Sequence, residues 1–170
     1  MADDRILFAI HDHTCFIKML GEAKHSTTTG FGQFINTLFE RCDFDDVLVD
    51  LSDTSYIDST NLGELTKLSS FLMQHRQRRP MLISTRPNIS AVITSLGMDR
   101  IFDMADEVLA LPPAMVAVPG AQMTARENAF RILEAHRYLV ALNEKTGREF
   151  RSVVDAFEQD LGIGPGQGNT

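Results

Sequence analysis

The chain has few cysteines, no surplus of positive charge and no long apolar run, and each scarcity excludes a class of protein. Its two cysteines, Cys15 and Cys42, lie outside any metal-ligand spacing, so we expect small buried side chains in a reducing compartment. The net charge of −7 at pH 7 argues against non-specific binding to nucleic acid or anionic lipid. No apolar run approaches the roughly 18 residues of a membrane span.

Other signals of targeting or ligand binding are also missing. The acidic segment at residues 1–5 lacks the basic and apolar regions of a signal peptide, so we expect a cytoplasmic protein. The basic run at 76–79 falls at the predicted end of a helix, where cations complement the helix dipole, which argues against a nucleic-acid patch. His11 and His13 have no third candidate ligand nearby, and we expect neither a metal nor a cofactor.

Hydrophobic periodicity predicts an α/β domain over residues 1–113. Strand patterns and helical stripes alternate in the order β-β-α-β-α-β-α-β, which implies parallel crossovers with the helices packed on the sheet. The predicted strands cover residues 6–10, 14–20, 47–51, 81–83 and 108–111, and the predicted helices follow apolar stripes within 31–39, 58–72 and 86–96.

Beyond this domain the sequence predicts a linker, a helical hairpin and a tail. Prolines and a glycine bracket the linker, 114–122, and a capping-box pattern at 124–127 opens the hairpin, 123–161, whose turn is expected at 143–147. Two amphipathic helices cannot bury their apolar faces alone. They must therefore pack on the first domain, on a second copy in a homodimer, or on a partner. The glycine-rich tail, 162–170, is expected to be disordered.

A serine beside an acid stands at the predicted start of the second helix. Asp58-Ser59-Thr60 follows the buried strand, and serine at a helix N-terminus is a common cap. The segment is not the Gly-x-Ser-x-Gly elbow of hydrolases, and the chain has no Gly-x-x-x-x-Gly-Lys phosphate loop. None of the five histidines lies at a position after a strand where the base of a catalytic triad is expected. We therefore predict that the chain is not an enzyme and that Ser59 is a substrate without a base beside it.

The stretch around Ser59 carries a family resemblance. Residues 49–63 read Val-Asp-Leu-Ser-x4-Ile-Asp-Ser-Thr-x-Leu-Gly, which resembles the signature of the STAS domain of bacterial anti-sigma factor antagonists. Residues 97–102, Gly-Met-Asp-Arg-Ile-Phe, are similar to the family's Gly-Leu-x-x-Ile/Leu-Phe segment. The resemblance covers roughly residues 4–112 and implies a STAS-like mixed β-sheet with helices packed on it.

This resemblance implies an anti-sigma factor antagonist that acts by partner switching. Ser59 corresponds to the serine that the anti-sigma factor, an ATP-dependent serine kinase, phosphorylates, and Thr60 ranks second. The unphosphorylated form binds and sequesters the anti-sigma factor and so releases the sigma factor. A PP2C-type serine phosphatase, for which a response regulator is a candidate, restores that form. The alternative is a STAS scaffold or ligand-binding subunit of a sensor or lipid-transport complex, docked through the hairpin.

The partner-binding surface implied by the resemblance surrounds Ser59. It comprises Asp53, Tyr56, Asp58, Ser59, Thr60, Asn61 and Leu62. Asn61 stands where the family usually has glycine, and because asparagine tolerates left-handed backbone we expect the turn to be preserved. A phosphate adds about −1.5 to −2 charges, and a helix N-terminus accommodates an anion. Phosphorylation is therefore expected to weaken an interface and to leave the fold intact.

Overall fold

The computed structural model describes residues 3–165, and this part of the chain contains seven strands and five α-helices. The strands are β1 (Arg5–His11), β2 (Thr14–Ala23), β3 (Asp46–Asp50), β4 (Thr54–Ile57), β5 (Met81–Ile83), β6 (Asp103–Ala105) and β7 (Val116–Ala117). The helices are α1 (Phe31–Arg41), α2 (Ser59–Arg76), α3 (Pro87–Ser95), α4 (Ala125–Leu142) and α5 (Glu144–Leu161). Over this range, none of the helices has the length and apolar character to cross a membrane.

The first two strands form the predicted hairpin. Asp12 (φ 50°) and His13 (φ 62°) both take left-handed backbone, as in a type I′ turn, whose twist matches that of antiparallel strands. Alternate residues of β2 then face the interior, and Cys15, Ile17 and Met19 are buried. Burial raises the pKa of the Cys15 thiol to about 12, so Cys15 behaves as a small apolar side chain.

The sheet is mixed, in the order β6-β5-β3-β2-β1-β7. The central strand β3 runs parallel to β2 and to β5, and α1 and α2 supply the crossovers between them. β6 extends the parallel part, whereas β1 and β7 pair antiparallel at the other side. β4 pairs with the end of β2, off the main path. The α/β class with helices packed on a mixed sheet is thus confirmed.

Two strand assignments differ from the sequence prediction. The strand predicted at 108–111 is wrong: the sheet takes residues 103–105, and Val108 is 64% exposed. The backbone N–H of Asp103 donates to Pro80 O at 2.9 Å, which starts the β5–β6 ladder before the apolar run is reached. The short strand β4 is absent from the prediction, because four residues with two exposed side chains give almost no periodic signal.

The C-terminal helices form a hairpin with a tighter turn than predicted. Asn143 ends α4, and its side-chain Oδ1 accepts from the backbone N–H of Thr146 at 2.9 Å. This cap starts α5 at Glu144, so the predicted turn at 143–147 is wrong. Gly162, with φ 68°, ends α5. The remainder of the predicted disordered tail, from residue 166, lies outside the described residues.

The hairpin packs on the α/β domain of the same chain. Leu139 of α4 is fully buried within the main core, and Phe150 of α5 packs against that core. The segment predicted as a linker, 114–122, includes β7, and the N–H of Val118 donates to Ile6 O at 2.8 Å. The sequence analysis left open whether the hairpin packs on the first domain, on a second copy or on a partner. In this structure it packs on the first domain.

Candidate functional site around Ser59

Asp58 fixes the start of the helix that carries Ser59. It follows β4 in extended backbone and is the N-cap of α2, so Ser59 is the first helical residue. Asp58 Oδ1 accepts from the backbone N–H of Asn61 at 2.9 Å, which satisfies one of the free amides of the first turn. Its Oδ2 accepts from the backbone N–H of His25 at 2.7 Å. The carboxylate therefore ties the loop after β2 to the beginning of α2.

The hydroxyl of Ser59 is paired with a histidine from the hairpin. Ser59 Oγ lies 2.9 Å from His136 Nε2, and His136 Nδ1 lies 2.7 Å from the backbone carbonyl of Ile132. Because a carbonyl only accepts, Nδ1 must carry the proton of the neutral ring. Nε2 then offers a lone pair, and the Ser59 hydroxyl donates to it.

This contact corrects the expectation that no base lies beside Ser59. A serine that donates to an imidazole forms the first two parts of an activated nucleophile. In a full triad, however, a carboxylate holds the second ring nitrogen and stabilises the imidazolium. Here the corresponding group is the uncharged carbonyl of Ile132. Burial lowers the pKa of His136, which is only 4% exposed, so the ring is a weak base. The contact holds the hydroxyl in place and does little to activate it.

The lowered pKa of His136 predicts a pH-dependent contribution to stability. Burial is the largest cause of that lowering; the hydrogen bond to the Ile132 carbonyl and the charge of Asp58 raise the pKa, while His25 lowers it further. The unfolded state binds a proton more readily, so this contribution is full above the unfolded pKa of about 6.5 and is lost as the pH falls below it. We expect the melting temperature of the wild type to fall more than that of His136→Gln between about pH 7.5 and about pH 5.5.

Comparison of the wild type with His136→Gln isolates the contribution of the His136 ring. The His136→Gln side chain keeps a hydrogen-bond acceptor but does not titrate in this range. Burial raises the pKa of Glu64, which adds stability toward low pH, and this opposite effect cancels in the difference. Equal pH dependence of the two melting curves would contradict the burial of a neutral His136.

Gly63 allows α4 to cross α2 at close range. A Cβ atom at position 63 would lie 2.2 Å from the backbone oxygen of Ala135, closer than real Cβ contacts allow. Ala135 and His136 are both buried at this crossing. The absence of a side chain at Gly63 thus places His136 over the first turn of α2, one turn before the crossing.

A buried charge cluster holds the same two helices together. Lys67 of α2 is 2% exposed, and its Nζ lies 2.8 Å from Glu64 Oε2 and 2.7 Å from Glu134 Oε1 of α4. Nζ also donates to Asn36 Oδ1 of α1 at 3.0 Å. Burial raises the pKa of Glu64, and the nearby Lys67 opposes that rise. The cluster therefore makes the stability of the α2–α4 contact depend on one cation.

The residues predicted to bind a partner divide into an exposed and a buried group. Tyr56 is 48% exposed, and Asp53, also exposed, pairs with Lys18 Nζ at 2.8 Å. Thr60 is half-buried. Asn61 and Leu62 are buried inside the chain. A partner could contact these two side chains only if the elements packed on them moved.

Asn61 does not occupy a left-handed turn. It lies within α2, outside the set of residues with positive φ. Its Nδ2 donates to Asp58 Oδ1 at 2.9 Å, and its Oδ1 accepts from Thr28 Oγ1 at 3.0 Å. The expectation that asparagine preserves a left-handed turn is wrong. The Asn61 side chain instead joins the loop before α1, through Thr28, to the start of α2.

His136 is the site residue that the sequence prediction missed. The apolar stripe predicted for α4 includes Ile132, Leu133, Leu139 and Val140, and position 136 falls on the same face at helical spacing. That spacing predicts a buried histidine. Contact with Ser59, which is 77 residues away in the chain, requires knowledge of how the hairpin docks.

Comparison with solved structures identifies related folds. An anti-sigma factor antagonist from Mycobacterium paratuberculosis gives a TM-score of 0.53 at 19% identity, covering 61% of this chain and 86% of that chain. The protein TM1081 gives 0.50 at 20% identity, with 58% and 78% covered. The phosphorylated form of SpoIIAA from Bacillus gives 0.48 at 19% identity, with 58% and 88% covered. No protein-family model and no curated protein matches the sequence. With its mixed sheet and packed helices, the chain has the STAS-like fold seen in anti-sigma factor antagonists.

Proposed function

We propose that the chain is an anti-sigma factor antagonist that acts by partner switching through Ser59. The observation that carries the proposal is the position of Ser59 at the first residue of α2, directly after the Asp58 cap, in a chain with this fold. The unphosphorylated chain binds and sequesters an anti-sigma factor that is a serine kinase, and sigma factor is released. Phosphorylation of Ser59 ends that binding, and a PP2C-type phosphatase restores it.

Charge supplies the physical basis of the switch. A phosphate would add about −1.5 to −2 charges at Ser59, directly after the carboxylate of the Asp58 cap. A partner that covers this surface would have to desolvate the dianion, which is costly without a cation to pair with it. A thousandfold loss of affinity corresponds to only about 4 kcal/mol. One phosphate is therefore enough to switch the interface.

A capture experiment with added ATP tests the proposal. The wild type, Ser59→Ala and Thr60→Ala chains are immobilised and exposed to a soluble extract of the native host, and retained proteins are identified by mass spectrometry. We expect all three chains to retain a serine kinase of the anti-sigma type. On addition of ATP, the wild type and Thr60→Ala should gain one phosphate and release the kinase, whereas Ser59→Ala should keep it bound.

Two outcomes would contradict the proposal. Release of the kinase from Ser59→Ala on addition of ATP would exclude Ser59 as the switch. Retention of subunits of a sensor or lipid transporter, with no kinase and no phosphate transfer, would favour the scaffold or ligand-binding alternative.

A further inference from the structure

We propose that the hairpin of α4 and α5 is an autoinhibitory cover that must leave α2 before Ser59 is phosphorylated. The covered state is the one described above, in which the Ser59 hydroxyl donates to His136 and α4 crosses α2 at Gly63. In the open state the hairpin is released and Ser59 is accessible to a kinase. This inference rests on the proposed function, because it concerns the regulation of the same serine.

Phosphoserine at position 59 and docked α4 disfavour each other. Esterification removes the hydroxyl proton that Ser59 donates to Nε2, and it places phosphate oxygens where the ring nitrogen lies, 2.9 Å from Oγ. The neutral ring offers only a lone pair there, since its N–H is directed to Ile132 O. His136 is buried, so an oxygen placed against the ring is shielded from water, although Ser59 itself is half-buried. The phosphate therefore replaces the hydrogen bond that joins Ser59 to His136 and competes with the ring for the same position.

Covered Ser59 is also a poor phosphate acceptor. A kinase must bring the γ-phosphate of ATP to within about 3–3.5 Å of the attacking oxygen, in line with the bond that breaks. Ser59 is half-buried, and its hydroxyl proton is already donated to a side chain from the covering helix. An approaching active site would meet α4 before it reached the hydroxyl. Docking of the hairpin thus lowers the fraction of chains that can react.

The covering interface is suited to reversible release. Polar contacts accompany the apolar packing of Leu139: Lys67 pairs with Glu134, Asn143 Nδ2 donates to Leu96 O at 2.8 Å, and Lys145 Nζ donates to Ser95 O at 2.6 Å. These groups can exchange protein partners for water when the hairpin leaves. The hairpin also has a small core of its own, formed by Leu133, Val154 and Leu161 with their partly buried neighbours. It can therefore remain a helical unit when undocked.

Reciprocity follows from these two states. If a phosphate on Ser59 weakens docking of the hairpin by some factor, docking disfavours phosphorylation by the same factor at equilibrium. A partner that binds the covered face of α2 competes with the hairpin in the same way. The docked hairpin thus limits both phosphorylation of Ser59 and binding of a partner to the covered face of α2.

Hydrogen–deuterium exchange on homogeneous phosphoprotein tests the cover directly. Phosphoserine is incorporated at position 59 by genetic code expansion, and exchange is compared with the unmodified chain. We expect exchange across α4 to rise by about tenfold or more, within the range of typical coupling between sites, while β3 stays protected. A chain with phosphoserine at the exposed position 55, also close to Asp58 in the sequence, is the matched control and should leave α4 protected.

Three results would overturn the inference. They are unchanged exchange across α4 with phosphoserine at 59, an equal rise across α4 with phosphoserine at 55, and a rise across β3 that matches the rise across α4. The last result would mean that the phosphate unfolds the whole domain and does not act on a separable cover.

A second variant separates this inference from the proposed function. Gly63→Ala places a Cβ against the Ala135 oxygen and should push α4 from α2, while Gly147→Ala makes the same change within the hairpin, away from α2. In native extract with ATP, we expect Ser59 of Gly63→Ala to be phosphorylated about tenfold faster than Ser59 of the wild type or of Gly147→Ala. Equal rates would contradict the cover. If no chain gains phosphate, the proposed function fails, and the exchange experiment still decides the inference.

Discussion

Lys67→Met is expected to destabilise the chain by about 3 kcal/mol, because it leaves the buried Glu64 carboxylate without its cation. Most of that loss comes from Glu64, since Glu134 is 42% exposed at its side chain and can turn to solvent. Burial already raises the pKa of Glu64, and removal of Lys67 should raise it further. Because an acid with a raised folded pKa gains stability as it is protonated, the loss should be smaller at acid pH.

Urea unfolding at neutral and at acid pH measures this effect. The double variant Glu64→Gln/Lys67→Met removes both charges and should recover most of the lost free energy. Lys24→Met is the surface control: Lys24 pairs with Glu22 at 2.7 Å, but both side chains are exposed, so little change is expected. If Lys67→Met is as stable as Lys24→Met, the buried cluster does not hold α2 and α4 together.

Asp58→Ala is expected to cost about 2–4 kcal/mol, from the loss of a helix cap and of hydrogen bonds to a charged acceptor. Asp58 accepts from the backbone N–H of Asn61, from its side-chain Nδ2 and from the backbone N–H of His25. With alanine, the buried Asn61 loses both of its contacts with Asp58. This carboxylate is therefore a structural group as well as a candidate partner contact.

Asp58→Asn provides the matched control. Asparagine is as good an N-cap as aspartate, and its side-chain oxygen can still accept from the backbone of Asn61. We expect Asp58→Asn to lose about half as much unfolding free energy as Asp58→Ala, because it loses the charge and one acceptor oxygen. Equal losses for the two variants would contradict the capping role assigned to Asp58.

The order of the α/β domain could be predicted from the sequence because each long element carries a periodic signal. The stripe at Leu65, Leu68 and Leu72 is buried as expected, and the alternation in β2 places Ile17 and Met19 in the core. The strand predicted at 108–111 is misplaced because an apolar run looks the same whether or not a neighbouring strand pairs with it. Pairing with β5 depends on the tertiary structure, and the segment that pairs is Asp103–Ala105.

The position of Ser59 could be predicted, whereas its environment could not. Local sequence rules predict a helix start at Asp58-Ser59-Thr60 with Ser59 as its cap, whereas in the structure Asp58 is the cap and Ser59 is the first helical residue. The contact with His136 depends on the register between α2 and α4, and that register is set by the close approach at Gly63. In the sequence, Gly63 is only the last residue of a family signature. In the fold, it allows another backbone to approach.

Phosphosite mapping on the chain isolated from its own cells decides whether Ser59 is the switch. Tandem mass spectrometry on the peptide that contains Ser59 and Thr60 distinguishes the two hydroxyls. We predict that a fraction of the chain carries one phosphate on Ser59 and that Ser59→Ala carries none. Phosphate found on Thr60 alone, or the absence of phosphate from Ser59 under all growth conditions, would contradict the switch.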